Sequence, residues 1–230
     1  MIIKRLKLKN WRNYQKEEKR WHESVNVIYG ANAQGKTNLL EAISYLGLAS
    51  SFRDAADIDL IYRERDYFYL EADVFSQGEG DFTISAAMNR AKKRRWLVNG
   101  QPRQRLVDIV GMFHTVIFAP EDVYLVKGGP ELRRRWLNRL ISQLDPVYCR
   151  RLLTYNQVLR QRNACLRLAP EAMDEETLAV WDQQLIELGS EITLRRWQAL
   201  TALAPLAEEQ HARLSGGEKL SLRYQSAVAG

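Results

Sequence analysis

Apolar and polar residues alternate from Ile2 to Leu8, and β-branched residues return from Val25 to Ile28 ahead of Gly30. The pattern predicts two strands joined by a polar connection. A helix is expected next. Along 38–46, Leu39, Ile43 and Leu46 share one face with Leu40 alongside, and Gly47 stands where such a helix would end. Period-two alternation comes back in Tyr67–Phe75 and Phe82–Met88, and Trp96-Leu97-Val98 followed by Asn99-Gly100 reads as a strand entering a hairpin turn. This part of the chain should form a small antiparallel sheet. Leu106–Met112 is a short helix candidate, and Thr115–Phe118 a buried strand stopped by Pro120.

From about Glu131 the period changes. Leu132, Trp136, Leu140, Leu144, Tyr148, Leu152, Tyr155 and Leu159 follow one another at three- and four-residue steps as far as Leu168, and Pro170 breaks the series. A second helical stretch is expected from near Asp174, where Leu178, Trp181, Leu185, Leu188 and Ile192 keep the heptad spacing of a helix that needs a partner helix. The two stretches predict an antiparallel helical arm, each limb of ~35 residues reaching about 50 Å. Pro146 and Pro205 are expected to kink or interrupt it. Lys219–Gln225 alternates strictly and reads as a last strand.

A chain of 230 residues has room for one large domain or a domain with a sub-domain, and 46% hydrophobic residues are too many for intrinsic disorder. Cys149 and Cys165 are too few and too far downstream to staple the fold, and their spacing matches no zinc ligand set, so a reduced cytosolic setting fits. The charged N-terminus lacks a signal-peptide core, and no stretch approaches the ~20 apolar residues of a membrane span. A soluble cytoplasmic protein is expected. The net charge of +6 is compatible with a nucleic-acid partner without requiring one.

The densest chemistry lies in Gly30-Ala31-Asn32-Ala33-Gln34-Gly35-Lys36-Thr37, the full phosphate-binding loop pattern between an expected strand and an expected helix. With Gly near 7% of residues, a random chain of this length would carry the pattern roughly once in a hundred. The residue types fit the task. Glycines at 30 and 35 let the main chain curl its N–H groups around a polyphosphate, and the following helix directs its positive end at the anion. Lys36 is expected to reach the β- and γ-phosphates, Thr37 to ligate the bridging Mg²⁺, and Asn38 to join residues 30–37 in binding the nucleotide.

Lys9-Asn10-Trp11-Arg12-Asn13-Tyr14, the loop with Asn38-Leu39-Leu40-Glu41-Ala42-Ile43, Ser51-Phe52-Arg53, Phe118-Ala119-Pro120-Glu121-Asp122 and Gly128-Gly129-Pro130-Glu131-Leu132-Arg133-Arg134-Arg135 occur in this order. The set resembles the N-terminal part of the RecF family, DNA repair ATPases related to the SMC proteins, from Met1 to about Asn163 and more loosely beyond. The resemblance implies an α/β fold: an ABC-ATPase-like phosphate-loop head with an antiparallel β sub-sheet and an inserted helical arm, ending before the signature and Walker B motifs. Residues 1–130 would form the ATP-binding head, 131–215 the arm and 216–230 a strand returning to the head. The implied ligands are ATP and Mg²⁺. The implied partners are a second copy in an ATP-dependent dimer, double-stranded DNA near single-strand gaps and junctions, and RecO- and RecR-type proteins, with no membrane.

The resemblance also places Arg12 near the nucleotide, a surface charge after a strand being the plain alternative. Glu121 falls where related ATPases carry a glutamine that senses γ-phosphate and metal, which makes it a catalytic candidate beside Lys36; a carboxylate capping the helix after Pro120 explains it equally. Leu214-Ser215-Gly216-Gly217-Glu218 spells an ABC signature, yet a strand-like pattern follows it instead of a helix, which favours a Ser-Gly-Gly turn ending the arm. No apolar run leading to paired acids follows, so this stretch of chain is expected to bind ATP with feeble turnover or none.

Arg90, Lys92, Lys93, Arg94 and Arg95 beside Trp96 suit either duplex contact or protection of a strand edge. Arg133-Arg134-Arg135 and Arg150-Arg151 are equally explained by solvation. His22, His114 and His211 have no evident acid or thiol partners. Two other functions stay in view: an ABC transporter-type ATPase subunit, which the long interval from Thr37 to Glu121 argues against, and a non-catalytic nucleotide-binding interaction module.

Overall fold

The computed structural model describes residues 1–167 and 175–226, Glu175 by its backbone only. The expected break at Pro170, the end of the first series at Leu168 and the restart near Asp174 lie outside the described residues. The chain divides into two compact units, Met1–Gly129 and Pro130–Gly230.

The first unit is built on a six-stranded antiparallel sheet: β1 (Ile2–Trp11), β2 (Tyr14–Arg20), β3 (Tyr67–Ser76), β4 (Gly80–Asn89), β5 (Arg94–Val98) and β6 (Gln101–Arg103), in the order β2-β1-β3-β4-β5-β6. Alternation decides its two faces. The register sets Leu6 opposite Ala72, Leu8 opposite Leu70, Phe68 opposite Met88, Ile84 opposite Val98 and Ala86 opposite Trp96, all of them buried. The intervening positions form a polar face, where Arg5 donates to Asp73 at 2.7 Å and to Glu71 at 2.8 Å. The hydrogen bond from Arg5 holds the Asp73 carboxyl below its ordinary pKa, with Thr83 adding to the effect. The β5–β6 turn is made by Asn99 and Gly100 at φ 50° and 74°, the left-handed pair that a two-residue hairpin needs.

Helix α1 (Lys36–Leu48) lies on the apolar face. Tyr45 is its anchor: it stacks on Trp96 at 5.7 Å between ring centroids and meets Trp11 and Phe68 edge-on, pairs worth about 0.5–1.5 kcal/mol each beyond the area buried. Burial in this cluster pushes the Tyr45 phenol well above its ordinary pKa. The helix runs past Gly47, contrary to the expected stop. A Cβ there would lie 2.4 Å from the Phe113 carbonyl oxygen, so this glycine serves close backbone approach, and the helix ends at Ala49 with φ 52°.

Two expected strands in this unit do not form. Val25–Ile28 and Thr115–Phe118 belong to no strand, and Val25, Val27, Val116 and Phe118 are 74%, 78%, 95% and 93% exposed. A strand is completed by the ladder hydrogen bonds of a neighbouring strand, and among the described residues neither segment pairs with one. Leu106–Met112 is reduced to a 3₁₀ turn at Leu106–Asp108 with two further turn bonds. A short 3₁₀ turn, Pro120–Val123, leads into α2 (Tyr124–Lys127).

The second unit contains α3 (Pro130–Leu144), α4 (Pro146–Cys165) and α5 (Glu175–Ser215). Pro146 does interrupt the first limb: Asp145 caps α4 by accepting the amides of Val147 and Tyr148, and proline takes the first helical position, where no N–H is needed. Pro205 interrupts nothing, since α5 runs through it for 41 residues, about 60 Å. Leu137, Ile141, Tyr148 and Ile192 form the buried core, with Leu152, Tyr155 and Tyr224 packed against it. Arg162 pairs with Asp182, and Arg151 with Glu191, across the antiparallel helices α4 and α5. Burial pushes the Cys149 thiol above its ordinary pKa. The expected strand Lys219–Gln225 also fails to form; its Tyr224 seats on the arm core instead. Among the described residues no helix is long and apolar enough to cross a membrane.

Candidate nucleotide-binding site

The phosphate loop leads directly into α1. Gly30, Ala33 and Gly35 have φ of 146°, 64° and 100°, and Gly35 is the N-cap. These turns coil the main chain ahead of the helix and leave its first amides without intrahelical acceptors. Lys36 folds back over the loop, donating from Nζ to the carbonyls of Gly30 at 2.9 Å and Ala31 at 2.7 Å. Thr37 is exposed on the first turn. Backbone donors, a helix N-terminus, one ammonium and one accessible hydroxyl are the groups that hold a polyphosphate and its divalent cation.

The β1–β2 turn clamps this loop. Asn10 and Arg12 take positive φ, 55° and 51°, which lets the turn swing toward α1. Asn13 Nδ2 donates to the Gln34 carbonyl at 3.2 Å, Tyr14 donates its hydroxyl to the Gly35 carbonyl at 3.3 Å, and Trp11 Nε1 donates to the Asn38 carbonyl at 2.8 Å. A Cβ on Gly35 would lie 2.6 Å from the Asn13 amide group, so that glycine is required for the clamp as well as for its φ.

The candidate residues are distributed unevenly. Gly30 to Gln34 and Thr37 are exposed, Lys36 and Asn38 half-buried, and Gly35 is buried under the turn that clamps it. Arg12 is next to the loop, but its guanidinium is engaged: Nε and Nη2 donate to the two carboxylate oxygens of Glu41 at 2.8 and 2.7 Å, and Nη1 to the Asp59 carbonyl at 3.1 Å. Glu121 is exposed in the 3₁₀ turn after Ala119, where it is Asp122 that caps, accepting the Ala119 amide at 2.8 Å. The Ser-Gly-Gly stretch ends a helix: Gly216 and Gly217 have φ of 75° and 105°, and the Gly217 amide donates to the Ala212 carbonyl. A signature motif that begins a helix is therefore excluded at this point of the chain.

Asn13, Tyr14, Glu41, Ser51 and Arg53 join the site without having been singled out from the sequence. All five stand within motifs that carry the resemblance, but none has chemistry assigned to it. Glu41 is the least evident, because a charged residue on an amphipathic helix ordinarily faces water.

The basic hairpin is also resolved. Lys92, Lys93 and Arg95 are exposed, whereas Arg94 pairs with Asp57 and Arg90 donates to the Arg65 carbonyl. β6 covers only Trp96–Val98 of β5, so Arg94 and Arg95 lie beyond it.

Known proteins agree with this geometry. The model of the RecF/RecN/SMC N terminal domain matches residues 2–224. The DNA replication and repair protein RecF of Halalkalibacterium halodurans is 40% identical over 230 residues, and that of Geobacillus kaustophilus 41% over 231, each alignment covering 99% of this chain and 62% of the relative. The solved structure of the recombination mediator protein RecF-ATP in the RecFOR pathway superposes with a TM-score of 0.93 at 34% identity, covering 100% of this chain and 61% of the other. The chain thus spans about three fifths of the length of these relatives. With a coiled glycine loop, its lysine and the aromatic-anchored helix behind them all in place, the chain belongs to the RecF/RecN/SMC N terminal domain family.

Proposed function

We propose that this chain is the ATP-binding part of a RecF-type DNA repair and recombination protein, in which bound nucleotide promotes pairing with a second copy and engagement of double-stranded DNA near gaps. The observation that carries the reading is the phosphate loop: positive-φ turns at Gly30, Ala33 and Gly35 ahead of a 13-residue helix, with Lys36 folded over them. The family relatives are DNA replication and repair proteins, and one similar solved structure is a RecF-ATP complex, which supports ATP as the ligand and RecO- and RecR-type proteins as partners. A transporter ATPase has no such support.

The residues divide the work by chemistry. The amides of residues 31–37 hold phosphate oxygens, Lys36 supplies a point charge and Thr37 a hydroxyl for Mg²⁺. Bound Mg²⁺ would neutralise phosphate charge. Arg12 contributes positive potential beside the loop while tied to Glu41. Glu121, exposed on its turn, is a candidate for contact with nucleotide or metal.

Lys36→Ala tests the assignment. Because among the described residues its ammonium bonds only the Gly30 and Ala31 carbonyls of the loop, the variant should melt within about 1 kcal/mol of wild type yet lose calorimetric Mg-ATP binding by two orders of magnitude or more, about 3 kcal/mol. Equal affinity in the two proteins would remove Lys36 from the site.

A further inference from the structure

Glu41 is a fully buried carboxylate that the phosphate-loop chemistry does not use. It sits on α1, five residues after Lys36, and gathers donors from two other segments of the chain. Arg12 on the β1–β2 turn supplies two hydrogen bonds at 2.8 and 2.7 Å, and Ser51 beyond α1 donates its hydroxyl at 2.5 Å. Arg53 Nη1 lies 3.9 Å away, and the Arg53 amide donates to Ser51 Oγ at 3.0 Å.

The same groups continue to the loop. Arg53 Nη1 donates to Asn38 Oδ1 at 3.3 Å, Asn38 Nδ2 to Asn13 Oδ1 at 2.9 Å, and Asn13 Nδ2 to the Gln34 carbonyl at 3.2 Å. One chain of polar contacts therefore runs from the buried carboxylate to the main chain that would face the phosphates. The geometry points to Glu41 as a positioning residue of the nucleotide site: by fixing Arg12 and the 51–53 segment together, it holds the Asn13–Asn38 clamp against the loop and the two guanidiniums beside it. The inference rests on the nucleotide reading above and assigns that site a residue that touches no ligand.

Electrostatics alone makes the opposite prediction, which renders the idea sharp. Removing a carboxylate near a polyphosphate lowers repulsion and should tighten binding. Loss of positioning should weaken it. A Glu41 that serves only to stabilise the fold would lower the melting temperature and leave affinity untouched in the folded protein.

The test uses the full 230-residue chain, with Mg-ATP as the probe, well below the melting temperature. Glu41→Gln keeps the shape and removes the charge; it should bind about tenfold more weakly, equivalent to about 1.4 kcal/mol, and amide hydrogen exchange across 30–36 should speed up before ligand is added. Arg12→Gln alone should weaken binding at least as much, because it removes the same contact and also the positive charge beside the loop. Ser51→Ala, which changes no charge, should weaken binding about threefold and serves if Glu41→Gln does not fold. Unchanged or tighter binding by Glu41→Gln, or by Ser51→Ala where only that variant folds, overturns the inference while wild type still binds. Absence of binding by wild type would instead overturn the nucleotide reading, and this inference with it.

Discussion

Single residues in this protein are explained by what a neighbour requires of them. Gly35 and Gly47 look alike in sequence, yet the first is set by a positive φ and by Asn13, the second by the Phe113 carbonyl. Asp73 carries a pH signature. Arg5 and Thr83 bond its carboxylate and hold its pKa below the ordinary value of about 3.9, so the charged form is favoured in the folded chain. The stabilisation is fully present above the unfolded pKa and disappears as pH falls through the lowered folded one. The pair is partly solvated, so Asp73→Asn should cost no more than about 1 kcal/mol at neutral pH. In denaturant titrations the gap between wild type and variant should close at pH values below about 4. A gap that persists undiminished in acid would contradict the assignment.

Elements were legible where their partners are close in sequence. The β3–β4 and β5–β6 hairpins follow from period-two runs and from Asn99-Gly100, and the heptad spacing of Leu185, Leu188 and Ile192 identified the arm-facing side of α5. Val25–Ile28, Thr115–Phe118 and Lys219–Gln225 differ from expectation for one reason: a β-branched, apolar or alternating run encodes the capacity to pair, and pairing needs a neighbour that the segment itself does not specify. The overrun at Gly47 has a different cause, since close approach by Phe113 lies 66 positions away and leaves no local trace. Gly47→Ala should therefore destabilise the first unit by about 1–3 kcal/mol, as overpacking does, although alanine is the better helix former. A melting temperature at or above wild type would show that the contact relaxes at no cost.

At the scale of the molecule, the phosphate loop was readable because its pattern is contiguous, whereas the clamp and the Glu41 network were not, being assembled from residues 12, 13, 38, 41, 51 and 53. The basic hairpin adds a separate expectation. Replacing Lys92, Lys93 and Arg95 with Gln should flatten the dependence of log K for duplex DNA on log salt by up to about 3, since each phosphate contact contributes a slope near 0.9. An unaltered slope would assign these charges to solvation. The central claim concerns the loop itself, and the most direct measurement is a titration of the isotope-labelled chain with Mg-ATP followed by the backbone amide resonances. The account predicts that the amides of residues 31–37 shift first and furthest, saturating with the ligand; if those amides stay in place while ATP saturates the protein elsewhere or fails to bind, the account is wrong.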